Sequence, residues 1–151
     1  MIFAWMEATA AAGVMRNSLW VTASLSALHA LSFAVVMGSA FLLNLRLLGL
    51  LFRDRPVREV AGPAKAGLGA GVAMSVATGV LLFLPRAVAA ADDDAFRMKM
   101  LFLLTAAGFA WVQVRGLAAG APVTADRARG ALGLVLWMGL ALSACAFILL
   151  E

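Results

Sequence analysis

The sequence predicts an all-α membrane protein: a four-transmembrane-helix bundle with a short N-terminal interfacial amphipathic helix. Three observations predict it. The 151 residues are 64% hydrophobic, with a mean hydropathy of +0.99. Only 13% are charged, against about 25% in an ordinary soluble domain. The charges gather in short clusters between four apolar runs, each near the ~20 residues a helix needs to cross a bilayer. A soluble core of this size could not hide so much apolar surface, so the lipid bilayer is the expected solvent for a single integral domain over residues 1–151. Backbone amides in lipid need internal partners, and no run alternates as a strand would, which leaves helices.

Residues 1–17, MIFAWMEATAAAGVMRN, read as the interfacial segment, with Ile2, Phe3, Trp5 and Met6 dipping into lipid. The first charge is Glu7 and no long apolar stretch precedes it, unlike a signal peptide. The first span covers about 19–45, opened by Asn17 and Ser18 as cap candidates. The second covers about 64–84, between Pro63 and Pro85; the third covers about 96–114. The fourth covers about 130–150, with Asp126-Arg127 expected to cap its start. Tyrosine is absent, so Trp5, Trp20, Trp111 and Trp137 are the candidate interfacial anchors. Cys145, the one cysteine, excludes an intramolecular disulfide and is expected to be an inert packing residue.

Loop charge predicts orientation. The first connection carries Arg46, Arg53, Arg55, Arg58 and Lys65, and the third carries Arg115, Arg127 and Arg129. The opposite side has Arg16, Arg86, Arg97 and Lys99, offset by the acidic run Asp92, Asp93 and Asp94. The basic excess puts the first and third loops in the cytoplasm and both termini outside, in the periplasm of a bacterium whose inner membrane holds the chain. Loop clusters of this kind, rather than a basic face, exclude nucleic acid as the partner of the +4 chain.

Gly67, Gly71, Ser75 and Gly79 recur every four residues in the second run. Such a small-residue stripe lets helix backbones approach closely. It predicts tight packing on Ala30, Ala34 and Gly38 of the first helix, or contact with another protein. Gly139 and Ser143 offer the same in the fourth run.

His29 is the only histidine, and it lies in an apolar run, SALHALSFAVVMGSAFLL. At 100° per residue its face also carries Thr22, Ser26 and Ser32, and a polar stripe on a membrane helix faces protein or a cavity. It falls roughly 16 Å below Ser18. Lys99, at the same end of the third run, shares a face with Gln113. Several readings are open. His29 could hydrogen-bond a neighbouring helix and stay neutral. It could ligate the iron of haem b, with Lys99, Arg97 or Arg16 pairing the propionates and Met74 as a second axial ligand, or with the haem shared between subunits. It could bind copper(I) with Met74, Met138 or Cys145. It could also serve a proton or quinone site. Nothing here resembles a phosphate loop, a GxSxG elbow or paired intramembrane carboxylates, so independent catalysis is not expected.

Nearly the whole chain resembles an uncharacterised family of small bacterial four-span membrane proteins. The resemblance rests on Arg16-x-Ser18-x-Trp20, Leu28-His29, Leu45-Arg46-Leu47-Leu48-Gly49-Leu50, Pro56-Val57, Thr78-Gly79-x-Leu81-Leu82-Phe83 and Phe96-Arg97-Met98-Lys99-Met100. A first-helix histidine and a lysine opening the third helix also look like the copper resistance D-type membrane proteins and the HemJ type of protoporphyrinogen oxidase. The HemJ likeness implies His29 as haem ligand and Lys99 as its neighbour. The expected function is therefore a haem- or porphyrin-associated inner-membrane protein linked to redox chemistry. The alternatives are an accessory subunit docked in a larger complex or homo-oligomer, and a copper-handling protein.

Overall fold

A computed structural model of the chain describes residues 2–118 and 123–149, with side chains for 2–116 and 127–146. It is helical nearly throughout, with no strand among the described residues. The elements are α1 (Ile2–Glu7), α2 (Ala10–Asn17), α3 (Leu19–Leu47), α4 (Val57–Phe83), a 3-10 turn (Leu84–Arg86), α5 (Ala87–Asp92), α6 (Asp94–Ala118) and α7 (Val123–Leu149). Four stretches are long and apolar enough to cross a membrane: Leu19–Leu47, Val57–Asp92, Asp94–Gly116 and Arg127–Ala146. Most of their surface faces outward while remaining apolar, as befits a multi-pass membrane protein.

Local chemistry sets the ends. Thr9 caps α2 by accepting from the Ala12 N–H (3.3 Å), and Ser18 caps α3 by accepting from the Val21 N–H (3.4 Å). α3 stops in a Schellman motif. Gly49 takes the left-handed φ of +72°, its N–H bonds the Arg46 carbonyl (3.0 Å), and the Leu50 N–H bonds the Leu45 carbonyl (3.0 Å). α4 begins at Val57 rather than at 64, because Pro63 lies inside it without breaking it. Pro63 is the seventh residue of the helix, so it forfeits the bond to the Glu59 carbonyl, and both residues lie on an exposed stretch. α7 begins at Val123, so Asp126 sits a turn inside the helix and not at its cap; its side chain lies outside the described residues.

α3 packs on α4 and α6 on α7, and α3 against α7 joins the two hairpins; α4 and α6 barely touch. The small-residue stripe of α4 is spent inside this bundle. A Cβ on Gly67 would collide with Ser39, and one on Gly71 would lie 2.7 Å from Val36 Cγ2 and 3.1 Å from the Ser32 carbonyl oxygen. The core of Val36, Ala40, Leu43, Leu47, Leu68, Ala106, Ala110, Trp137 and Leu140 fills the half nearer the α3–α4 connection.

Two expectations about α7 are corrected. Trp137 is 1% exposed and belongs to the core, while Cys145 is exposed rather than packed. An all-round apolar helix does not announce which face is inward. Trp5, Trp20 and Trp111 are exposed, and the Arg115 guanidinium covers the Trp111 ring at 4.4 Å.

The core half also holds a polar clasp. Gln113 Nε2 donates to Asn44 Oδ1 (2.9 Å) and to the Arg129 carbonyl (3.3 Å), while Asn44 Nδ2 donates to the Ala40 carbonyl (2.7 Å). This ties α3, α6 and α7 where no water reaches. Gly133 and Gly130 make the room, since a Cβ on Gly133 would strike the Asn44 side chain and one on Gly130 would lie 2.8 Å from the Asn44 carbonyl oxygen. Gln113→Leu is expected to lower stability by about 0.6–1.7 kcal/mol, the range for interhelical hydrogen bonds in membranes, read as denaturant or thermal unfolding in detergent.

Candidate functional site

The half of the bundle away from the core is hollow. Where α4 and α6 diverge, a half-open cavity of about 350 Å³ lies between the hairpins. That is near the lower bound of the roughly 300–1,000 Å³ of small-molecule sites. α3 contributes His29 and Phe33, α4 contributes Ser75, Val76, Gly79, Val80 and Phe83, α6 contributes Phe96, Lys99, Met100 and Leu103, and Leu140 of α7 and Met6 of α1 complete the wall. The lining is almost wholly apolar, with the imidazole, the ammonium and one hydroxyl as its polar groups.

α4 positions the imidazole. His29 Nδ1 lies 2.9 Å from Thr78 Oγ1, and Thr78 Oγ1 back-bonds the Met74 carbonyl at 2.8 Å. The Ser75 carbonyl is a further acceptor for that hydroxyl at 3.2 Å. Carbonyls only accept, so the threonine proton goes to the main chain and its lone pairs face the ring. Nδ1 then carries the imidazole proton, and Nε2 keeps an unshared pair. Gly79 lets the ring this close, since a Cβ there would lie 3.2 Å from His29 Cε1. A neutral histidine that donates one ring N–H to a fixed acceptor keeps a lone pair on its other nitrogen, as a metal-bound imidazole does.

The end of the cavity near Lys99 is closed by aromatic and N-terminal residues. Phe83 stacks on Phe96 (centroids 5.2 Å, interplanar angle 20°), and Phe3 of α1 meets Phe83 edge-on at 6.0 Å. Glu7 anchors α1 there by accepting from the Val88 N–H (2.9 Å), while Arg16 Nη1 donates to the Glu7 carbonyl (2.9 Å).

Of the residues singled out in the sequence, the structure brings His29 and Lys99 to one wall. The others stand elsewhere. Arg97 pairs with Asp94 (3.2 Å) and Asp92 (3.5 Å) and donates to the Ala91 carbonyl (2.9 Å) at the start of α6. Ser26 is exposed. Ser32 is buried beneath Gly71 with its hydroxyl donated to the Leu28 carbonyl. Met74, 46% exposed, contributes its carbonyl to the Thr78 relay, but its side chain is not part of the cavity wall. Met138 and Cys145 are likewise exposed, and no cluster of three or more His, Cys, Asp or Glu exists among the described residues. Among the described residues, the sulfur-bearing ones that line the cavity are Met6 and Met100.

Sequence reasoning missed Thr78. The signal was present, because Ser75 and Thr78 share the face of the Gly71–Gly79 stripe, and a face that packs on α3 must carry its polar groups toward α3's own.

One comparison with known proteins decides the relationship. The model of a family of unknown function, DUF6644, matches residues 2–144. The chain belongs to that family. No curated protein and no solved structure matches it. The DUF6644 match takes in α1 as well as the four long helices, so the anchored N-terminal segment is part of what the family model covers.

Proposed function

We propose that this DUF6644 protein binds a haem or related porphyrin in the cavity between its hairpins, with His29 as axial ligand. The observation that carries this reading is the oriented imidazole: Thr78 holds Nδ1 (2.9 Å) and the ring stands in an apolar wall. Lys99 on the same wall supplies a cation for an acidic edge, and Phe83 and Phe96 supply flat apolar surface. Met100 and Met6 line the same cavity and would offer thioethers to a bound iron. A bound haem supplies one-electron redox chemistry; the chain's part is to hold the ring, fix the imidazole tautomer and exclude water. Lys99 also weighs against copper(I), since an ammonium beside a cation site opposes its charge. The test is extraction of pigment from protein purified out of haem-replete membranes. A tetrapyrrole found by mass spectrometry in stoichiometric yield supports the reading, and pigment-free protein that still unfolds cooperatively rejects it.

The loop charges support an orientation in a bacterial inner membrane with both termini periplasmic and the cavity in the outer leaflet. Asp92→Cys in a Cys145→Ser chain is then expected to react with an impermeant maleimide from outside intact spheroplasts. Labelling only after permeabilisation would invert the protein.

A second reading, an accessory subunit within a larger assembly or homo-oligomer, is favoured by one feature. The face of α4 turned away from α3 exposes Gly62, Ala66, Gly69, Ala70, Ala73 and Ala77, a second small-residue stripe open for a partner helix. Native mass in nanodiscs distinguishes a monomer from an assembly.

A further inference from the structure

We propose that the His29–Lys99 cavity is loaded sideways from the bilayer, through the gap between α4 and α6, with a membrane amphiphile carrying an acidic group. The inference rests on reading the cavity as a ligand site and adds the route and the ligand class.

Three observations carry it. First, the watery end is shut: Phe3, Phe83 and Phe96 form an aromatic lid, and the Glu7–Val88 bond (2.9 Å) fastens α1 beneath it. Second, the side is open. α4 and α6 barely touch, and the two wall residues that are also exposed, Val76 (46%) and Val80 (50%), lie on α4 at that gap. In a bundle whose long helices cross a membrane, such a mouth opens onto acyl chains. Third, Lys99 puts a cation on a wall whose other described residues are mostly apolar. An acid head has a partner there, and an apolar body has the valine-lined mouth to lie along. Polar solutes would have to cross hydrocarbon to enter, while molecules already dissolved in the leaflet need only diffuse laterally.

The probe is a long-chain fatty acid bearing a mid-chain diazirine, placed in nanodiscs with the intact protein and activated by light. A short-chain, water-soluble diazirine carboxylate is run beside it. Expected labelling falls on Leu103 and Met100 inside the cavity as well as on lipid-facing Leu104, and the short-chain probe leaves the cavity unmarked. Val80→Trp, a change at an exposed position, should cut cavity labelling about tenfold, the effect of a ~1.4 kcal/mol barrier, and spare Leu104. Val76→Trp provides an independent plug. Labelling of Leu104 with a clean cavity, or equal cavity labelling by the short-chain probe, overturns the lateral route. A labelled cavity in protein that holds no tetrapyrrole would reject haem as the occupant and leave the route standing.

Discussion

His29→Ala is expected to abolish the Soret band of haem-loaded protein while leaving the fold intact. The imidazole is half-buried and makes its cross-helix bond to Thr78 Oγ1 at 2.9 Å, so its loss costs one interhelical hydrogen bond. In membranes that is about 0.6 kcal/mol, too little to unfold a bundle. The iron, in contrast, loses the one imidazole the chain can provide. Thr78→Val separates ligation from packing. It keeps the side-chain shape and removes the acceptor for Nδ1–H, and a supporting partner of this kind is typically worth about 10–100-fold in metal affinity. The expected series is therefore full binding, weakened binding and none for wild type, Thr78→Val and His29→Ala, read by absorbance titration. Added imidazole should restore a Soret band to His29→Ala by occupying the space left. Identical titrations for all three chains would show that the histidine is only a packed polar residue.

Gly71→Leu is expected to be strongly damaging at the α3–α4 contact. Its first added atom would sit 2.7 Å from Val36 Cγ2 and 3.1 Å from both the Ser32 carbonyl and the Val36 amide. The last two are backbone atoms of a long helix and cannot step aside, so α3 and α4 must separate. Overpacking of this kind costs about 1–3 kcal/mol and occasionally more. The same separation also draws Thr78 from His29, so ligand binding should fall with stability. Gly69→Leu is the matched control, because a Cβ at Gly69 meets nothing within 4 Å. It carries the same change in helix propensity on the same helix. Thermal unfolding in detergent should show Gly71→Leu shifted down and Gly69→Leu close to wild type. Equal shifts would mean that the stripe does not set the helix spacing.

The spans were legible because twenty apolar residues between charge clusters have few other physical solutions. The Ser18 start of α3 follows from capping chemistry, whereas its end, expected near 45, falls at Leu47, where Gly49 takes the left-handed φ that closes the helix. The start of α4 was not legible. Pro63 reads as a boundary when only helix interiors are considered, yet at an exposed position near a helix start the proline is tolerated. The inward face of α7 was hidden for another reason. With apolar residues all round, Trp137 and Cys145 look interchangeable, and what orients the helix is the fit of Gly130 and Gly133 against Asn44. For the site, the inward turn of His29 and its convergence with Lys99 could be anticipated from face and depth. Thr78 was signalled by the face it shares with Ser75 and the glycine stripe, whereas Phe83, Met6 and Met100 could not be anticipated, since their roles depend on how the hairpins and the N-terminal helices close over one another.

Ferric haem titrated into the detergent-solubilised wild-type chain probes the oriented imidazole without intermediaries. A shifted Soret band that saturates at a single haem per chain, and that reports a nitrogen axial ligand by electron paramagnetic resonance, is the expected result. A spectrum indistinguishable from haem in empty detergent micelles would contradict it, and His29 would then be a structural link between α3 and α4.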